Sequence, residues 1–312
     1  MKYAYFPGCS AHSTGIAYTQ SYSYVAERTG IELEEIPDWN CCGAGEAELS
    51  GEMLAAALPA RSLALSEAAY GDREVLAPCA GCYQRLKRST ARARQDAEVK
   101  SSIEEVIGKS WSASAEVRNG LEPFMTPEAQ TAIQEHVAAP LQGLKVACYY
   151  GCALLRPTDV CQVDDEEHPS AMEDILTLAG AQPVEWSFHN ECCGAGHHIG
   201  VPSTAREMTR RIIENAAANG ADVIACACPL CMLNLDMRER TVNDMRATEG
   251  LPPLDLPICY FTELLALSFG ASAEESGLAK HFFPATRLAQ YAKPQRSETN
   301  AETEDAAKEA IA

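Results

Sequence analysis

Short apolar runs alternate with longer amphipathic segments along the chain. The runs KYAYF and IELEEI have the length and composition of strands, whereas residues 13–28 place apolar side chains at helical spacing before Gly30. For the first half we predict, in order, a strand at 2–6, a helix at 13–28, a strand at 31–36, a helix at 52–70 that is kinked or restarted at Pro59, a strand at 74–79 and a helix at 83–94.

The second half repeats this order. The strand-like runs KVACYY, PVEWSF and DVIACA alternate with predicted helices at 171–178, at 203–218 and from Met232 onward. Regular alternation of strands and helices favours a parallel sheet in an α/β fold. We therefore predict two pseudo-repeated α/β domains, each a small parallel sheet flanked by helices.

Domain limits follow from the same pattern. The first domain is predicted at 1–143, including connecting helices between the repeats, and the second at 144–290, ending with the closing segment LPICYFTELLALSFG. Residues 291–312 are polar and poor in aromatic side chains, which predicts a disordered tail or a helix that forms on binding a partner.

Composition narrows the chemical setting. A chain of 312 residues that is 46% hydrophobic can bury two cores without disulfides, so its 14 cysteines exceed what folding requires. We find no secretory signal and no apolar run of roughly 18 residues, and therefore expect a reducing, cytoplasmic setting without a direct membrane span. A net charge of -19 argues against a nucleic-acid partner, because phosphate binding needs concentrated Lys and Arg.

The cysteines form three stations that occur twice in the same order. The matched stations are YFPGC and YYGC, ending at Cys9 and Cys152; two CCG triplets, with Cys41 and Cys42, and Cys192 and Cys193; and CAGC and CPLC, with Cys79 and Cys82, and Cys228 and Cys231. Each station follows a predicted strand, and the carboxyl ends of parallel strands lie along one edge of a sheet. We therefore expect the five thiols of each half to converge on one inorganic centre.

The donor set indicates the kind of centre. A structural zinc site takes four ligands, commonly from two separated CxxC pairs, whereas each half has one such pair, one adjacent pair and a single cysteine. Iron–sulfur clusters are held by thiolates and suit this inventory better. The residues alone therefore predict an unusual iron–sulfur site with four or five ligands.

The doubled pattern resembles the CCG domain found in the B subunit of heterodisulfide reductase and its relatives. The segments DWNCCGA, LPARSLAL and YYGCALLRP are similar to that protein in particular, and the resemblance covers most of residues 1–290. It implies that each half is a CCG domain holding a noncubane [4Fe-4S] cluster on five cysteines. The implied ligands are the first cysteine set, Cys9, Cys41, Cys42, Cys79 and Cys82, and the second cysteine set, Cys152, Cys192, Cys193, Cys228 and Cys231.

The spacing of the cysteines does not decide the identity of one implied ligand. The segment before Cys228 is slightly shorter than in the family, so Cys226 competes with Cys228 for a ligand role, and the CxxC motif favours Cys228. Cys148, Cys161 and Cys259 lie outside the stations and are predicted to be ordinary buried core residues.

The resemblance also implies a function. The implied function is the reversible cleavage of a disulfide, or of a related sulfur compound, between two such clusters. The implied partners are flavin-containing and ferredoxin-like subunits of the same complex. The chain has no GxGxxG after a strand and no P-loop, so flavin chemistry would come from a partner. His197 and His198 follow the second CCG triplet and are candidate proton donors to a departing thiolate, although a histidine on a loop is more often only solvated.

Two other functions stay open at this point. One is an electron-relay iron–sulfur subunit of a lactate-, glycolate- or succinate-type dehydrogenase that passes electrons to quinone. The other is a non-enzymatic zinc- or thiol-based scaffold. Two complete cysteine sets favour the disulfide chemistry, because relay subunits of this family often keep only some of the ligands.

Overall fold

The computed structural model describes residues 1–197, 200–283 and 285–292. Within them the strands are β1 (Lys2–Tyr5), β2 (Glu32–Glu35), β3 (Val75–Ala77), β4 (Val117–Asn119), β5 (Lys145–Tyr149), β6 (Gln182–Pro183), β7 (Val223–Cys226) and β8 (Ile258–Tyr260). The α-helices are α1 (Ile16–Arg28), α2 (Glu46–Ser50), α3 (Glu52–Tyr70), α4 (Ala80–Gln95), α5 (Ala97–Ile107), α6 (Pro127–His136), α7 (Cys152–Leu155), α8 (Ala171–Leu178), α9 (Pro202–Ala218), α10 (Pro229–Thr248), α11 (Phe261–Ser268) and α12 (Ala273–Ser276). Of the predicted tail, only residues 291 and 292 belong to this described part, and the rest lies outside it.

The strands form two four-stranded sheets with the same topology. The first sheet has the order β2-β1-β3-β4 and the second β6-β5-β7-β8, and every pairing is parallel. The inner strands β3 and β7 are buried along their whole length, as strands covered by helices on both faces should be. The predicted α/β fold with two repeated parallel sheets is confirmed, and the domain limit at 143/144 stays a prediction.

The structure differs from the sequence prediction in three details. The fourth strands, β4 and β8, were not predicted, because three residues are too few to show alternation. The run PVEWSF is a strand only at its start, since β6 ends at Pro183. Helix α3 continues through Pro59 without a restart, because the buried Ala56, Ala60 and Leu63 keep the same helix packed on both sides of the proline.

The two halves pack against each other through α1 and α11. Ser21 on α1 and Thr262 on α11 share a hydrogen bond between fully buried hydroxyls. The side chain of Gln84 on α4 donates to the carbonyl of Arg156 at 2.7 Å, which ties the first half to the loop after α7. Both contacts bridge the two halves, and the second begins on the helix that carries the first CxxC motif.

Candidate metal centres

A glycine with a positive φ precedes the first cysteine of each half. Gly8 follows β1 with a φ of +77°, and Gly151 follows β5 with a φ of +67°. A Cβ at Gly8 would lie 3.2 Å from the Sγ of Cys82, and a Cβ at Gly151 would lie 3.0 Å from the Sγ of Cys231. Glycine is therefore required for its backbone conformation and for the close approach of the chain to a buried sulfur.

The two thiols of each adjacent pair have different surroundings. In the first pair Cys41 is exposed and Cys42 is buried, and in the second Cys192 is half-buried and Cys193 is buried. The glycine after each pair donates its N–H to the Sγ of the first cysteine at 3.4 Å in both halves. The first thiol is thus turned towards its own loop, and the second thiol points into the protein.

The buried member of each pair contacts the last cysteine of the CxxC motif. The Sγ atoms of Cys42 and Cys82 are 3.2 Å apart, and those of Cys193 and Cys231 are 3.6 Å apart. The structure therefore brings together, in each half, sulfurs that follow two different strands.

The first cysteine of each CxxC motif is the N-cap of a helix, Cys79 for α4 and Cys228 for α10. Contacts with the thiols of Cys231 and Cys79 lower the pKa of Cys228 well below its usual range, and the N–H groups at the start of α10 add to this effect. A helix N-terminus favours the thiolate form of a cysteine. Cys228 is therefore predisposed to act as an anionic ligand.

The two cysteine sets meet at their CxxC motifs. The two CxxC motifs lie beside each other, since a Cβ at Gly81 would lie 3.5 Å from the Cδ1 of Leu230 and 3.8 Å from the Sγ of Cys79. The thiols of Cys79 and Cys228 also act on each other's pKa across the two halves. The two predicted centres are therefore neighbours and do not lie on opposite faces.

Each single cysteine lies beside the first thiol of its adjacent pair. Cys9 is exposed and adds only slightly to the raised pKa of Cys41, after the Cys42 thiol and burial, whereas the thiol of Cys192 is the main cause of the raised pKa of Cys152. The contact with Cys152 lowers the pKa of Cys192 to about 6. In the second set Cys152 interacts with Cys192, and Cys231 interacts with both Cys193 and Cys228, while Cys9 is the least engaged member of the first set.

One of the two predicted histidines lies beside the second cysteine set. His197 ends a short 3-10 turn, Ala195–His197, and is exposed. Its charge contributes, after the Cys152 thiol and the Gly194 N–H, to the lowered pKa of Cys192. The other predicted proton donor, His198, lies outside the described residues.

Four cysteines do not take part in the contacts between the stations. Cys226 is the last residue of β7 and is fully buried, while Cys148, Cys161 and Cys259 are also buried, as expected for core residues. Burial raises the pKa of each of these thiols, which keeps them neutral. The position of Cys226 at the end of β7 agrees with the preference for Cys228 that the CxxC motif already gave, and the ligand assignment stays a prediction.

Arg85 is a site residue that the sequence reasoning missed. It lies on α4 three residues after Cys82, is buried, and forms an ion pair with Glu48. The thiols of Cys41 and Cys82 lower the pKa of Cys42, and the charge of Arg85 adds to this effect. The sequence signal that could have identified Arg85 is its position about one helical turn after the CxxC motif.

The arrangement of the sulfurs fits an iron–sulfur group better than a single ion. In the residues that the structure describes, no three Cys, His, Asp or Glu side chains converge on one point as a single metal ion requires. The closest sulfurs occur as pairs in each half, and a cluster offers several iron atoms to ligands that do not share one point. The space kept open by Gly8 and Gly151 beside two buried sulfurs agrees with this assignment.

These observations define a two-domain α/β protein in which each domain carries a multi-cysteine site at the carboxyl ends of its strands. The sequence matches the CCG cysteine-rich domain over residues 3–87 and again over residues 146–236. The chain belongs to this family and contains two copies of its domain.

Curated relatives extend over nearly the whole chain. It is 31% identical over 290 residues to the 8-methylmenaquinol:fumarate reductase membrane anchor subunit of Wolinella succinogenes, with 92% of this chain and 99% of that one covered. It is 28% identical over 286 residues to the B subunit of the ferredoxin:CoB-CoM heterodisulfide reductase of Methanosarcina mazei, with 90% and 93% covered. The predicted resemblance to the B subunit of heterodisulfide reductase is therefore confirmed.

A solved structure shows the same fold. A hypothetical protein from Helicobacter pylori superimposes with a TM-score of 0.67 at 12% sequence identity, covering 92% of this chain and 52% of that one. This chain thus spans about half of that protein. Among the described residues, no helix has both the length and the apolar character needed to cross a bilayer.

Proposed function

We propose that this chain is the iron–sulfur catalytic subunit of a heterodisulfide-reductase-like complex, and that it cleaves or forms a disulfide, or a related sulfur compound, between two noncubane [4Fe-4S] clusters. The observation that carries the proposal is the close approach of the two CxxC motifs, because it makes the two cysteine sets neighbours. Relatives that are named as heterodisulfide reductase subunits support it.

The ligands are part of this proposal. The first cysteine set would hold one cluster and the second cysteine set the other. We assign Cys228 as a ligand in preference to Cys226, because Cys228 belongs to the CxxC motif and caps α10 beside Cys231, whereas Cys226 is the last residue of β7.

A bound cluster would supply iron that can accept an exogenous sulfur and exchange one electron. The residues of the chain would hold and orient the reacting groups. Disulfide reduction consumes two electrons and two protons and yields two thiols, and two neighbouring sites allow both sulfurs of one disulfide to be bound together. The buried Cys42, Cys79, Cys82, Cys193, Cys228 and Cys231 keep water away from this region.

Protons and electrons would come from different donors, the protons from this chain and the electrons from partner subunits. His197, exposed beside Cys192, can hold a proton at its imidazole, and we retain His198 as the second candidate donor. Flavin-containing and ferredoxin-like subunits would deliver or remove electrons. The proposal places the complex in the cytoplasm, where ligand thiols stay reduced.

A second candidate function is an electron-relay subunit that passes electrons between a dehydrogenase and quinone. The similarity to the fumarate reductase membrane anchor subunit of Wolinella succinogenes favours it. In that case the same two cysteine sets would hold clusters, but no disulfide would bind between them.

Metal analysis and turnover of the anaerobically purified chain test the proposal. We expect about eight iron atoms and a similar amount of acid-labile sulfide per chain, and reduction of a disulfide by a chemically reduced viologen dye. Iron with quinone reduction but no disulfide turnover would favour the relay function. Zinc without iron or sulfide would overturn both.

A further inference from the structure

Two tyrosine rings, one from each half, stack face to face where the halves meet. The ring centroids of Tyr18 on α1 and Tyr260 at the end of β8 are 4.4 Å apart, and the ring planes differ by 3°. The two residues are only 3% and 1% exposed. Packing between the halves therefore fixes the positions of both phenol groups.

Neither phenol oxygen has a hydrogen-bond partner among the described residues. A buried hydroxyl without a partner is unfavourable, and phenylalanine would give the same stacking without this penalty. The next tyrosine on the same helix face shows the ordinary arrangement, since Tyr22 donates its hydroxyl to the carbonyl of Gly120 at 3.0 Å. The unpartnered pair thus indicates a partner that is not part of the chain.

Among the described residues, two further buried hydroxyls, those of Ser66 and Tyr83, also lack a hydrogen-bond partner. Burial raises the pKa of Tyr83, and its surroundings include the thiol of Cys161 and the backbone N–H of Gln162, which belong to neither cysteine set. Only the stacked pair combines contributions from both halves with proximity to both cysteine sets.

Both phenols lie close to Cys79 and Cys228. Tyr18 lines a small cavity together with Pro78 and Pro229, the residues that adjoin these two cysteines. A Cβ at Gly120 would lie 3.0 Å from the Oη of Tyr18 and 3.0 Å from the Cα of Pro78, so this oxygen is near the turn into Cys79.

Tyr260 lies at the same place from the second half, because its ring stacks on that of Tyr18 with 4.4 Å between the ring centroids. A phenol is protonated near neutral pH, so both hydroxyls can act as neutral hydrogen-bond donors.

We propose that Tyr18 and Tyr260 donate hydrogen bonds to a sulfur that binds between the two cysteine sets, beside Cys79 and Cys228. This inference rests on the proposed function and concerns the same site. The acceptor is either an inorganic sulfide of a cluster or a sulfur of the disulfide substrate. Donors to a cluster sulfur stabilise its more negative, reduced state and raise its reduction potential, whereas donors to a substrate sulfur strengthen substrate binding.

The test compares Tyr18→Phe and Tyr260→Phe with the matched control Tyr22→Phe in the full, anaerobically loaded chain. The control removes a neighbouring buried phenol whose partner is a backbone carbonyl. Iron content, a redox titration followed by electron paramagnetic resonance, and the KM and kcat for the disulfide are measured for each variant.

We expect all variants to keep their iron. If the acceptor is a cluster sulfide, the two test variants show a lower midpoint potential without substrate. If it is a substrate sulfur, the potential is unchanged and the KM rises severalfold with a smaller change in kcat. Wild-type potential, spectrum and KM in both test variants, or equal changes in Tyr22→Phe, would overturn the inference while leaving the proposed function intact. Wild-type protein without iron would instead overturn the proposed function, and this inference with it.

Discussion

The hydroxyl groups of Ser21 and Thr262 form a hydrogen bond of 2.7 Å between the two halves, and neither hydroxyl is accessible to solvent. Ser21 Oγ also lies 2.9 Å from the carbonyl of Ala17 and donates its proton there, so that Thr262 is the donor in the bond between the halves. A directional polar bond of this kind fixes how α11 sits on α1. The Tyr18 and Tyr260 stack, which depends on the same packing, is thereby held in place.

Substitutions at this pair should show an energetic coupling. Ser21→Ala leaves the Thr262 hydroxyl without its acceptor and should lower the free energy of unfolding by about 1–3 kcal/mol. Thr262→Val should cost about 1 kcal/mol, because Ser21 keeps its bond to Ala17. The double variant should lose about 0.5–1 kcal/mol less than the sum. Urea unfolding of the four proteins measures these values, and strictly additive losses would show that the bond does not connect the halves energetically.

Gly8→Ala should release iron from the first cysteine set, because the added methyl group approaches the Sγ of Cys82 and a positive φ becomes strained. Gly151→Ala should do the same for the second set through Cys231. Each variant should lose about half of the bound iron on the proposed assignment. Iron and acid-labile sulfide assays on anaerobically prepared protein measure the loss.

Gly30→Ala is the matched control for these glycine variants. Gly30 has a similar φ of +71°, but a Cβ there would meet nothing within 4 Å. It should share the backbone strain of about 1 kcal/mol and keep the full iron content. If Gly30→Ala lost as much iron as Gly8→Ala, general destabilisation would explain the result, and the role of Gly8 in giving space to a sulfur would be wrong.

The cysteine assignment makes a sharper prediction. Cys42→Ala and Cys193→Ala should each remove one cluster and abolish disulfide turnover, because each removes a buried sulfur that contacts its CxxC partner. Cys161→Ala should leave the iron content unchanged, since its buried neutral thiol lies outside both sets. Iron loss in Cys161→Ala with retention in Cys42→Ala would refute the proposed ligands.

Cys226 and Cys228 can be separated in the same way. Cys228→Ser should reduce the iron content by about half, and Cys226→Ser should retain the iron, because Cys228 belongs to the CxxC motif at the start of α10 and Cys226 is the last residue of β7. The two residues have nearly the same position in the sequence and comparable burial, so each serves as a control for the other. The opposite pattern would move the ligand role to Cys226.

Much of the fold could be predicted from local signals. Alternation and helical spacing located six of the eight strands and the helices between them, because each is long enough to show its period or is followed by a cysteine station. The strands β4 and β8 have three residues each, and they form because they pair with β3 and β7. A local sequence pattern does not contain this pairing. The repeat itself was visible because the stations recur in order.

The site was less predictable than the fold. Sequence order indicated that each half gathers its cysteines, but it could not show that the two CxxC motifs lie beside each other, since this depends on how the halves pack. The same limit applies to Tyr18 and Tyr260, which read as ordinary apolar positions along the chain. Their missing partners become visible only when both halves are in place.

A buried histidine should make the stability depend on pH. His281 lies between the carbonyl of Ile258, 2.9 Å from Nδ1, and the carboxylate of Glu263, 2.7 Å from Nε2, with Asp236 nearby. Burial opposes the charged imidazolium, but Glu263 and Asp236 outweigh it and raise the pKa of His281 above its usual 6.5. The folded protein therefore binds this proton more tightly than the unfolded chain does.

The sign of the effect follows from this difference. The contribution of the His281 proton to the free energy of unfolding is fully present below about pH 6.5. It is lost as the pH rises through the raised pKa of His281, with a slope of at most about 1.4 kcal/mol per pH unit. His281→Gln should be less stable at low pH and should lack this part of the slope. Urea unfolding of both loaded proteins across about pH 6–9 measures the difference, which separates His281 from thiols that titrate in the same range. Parallel stability curves for the two proteins would show that His281 is not the group whose proton is bound more tightly on folding.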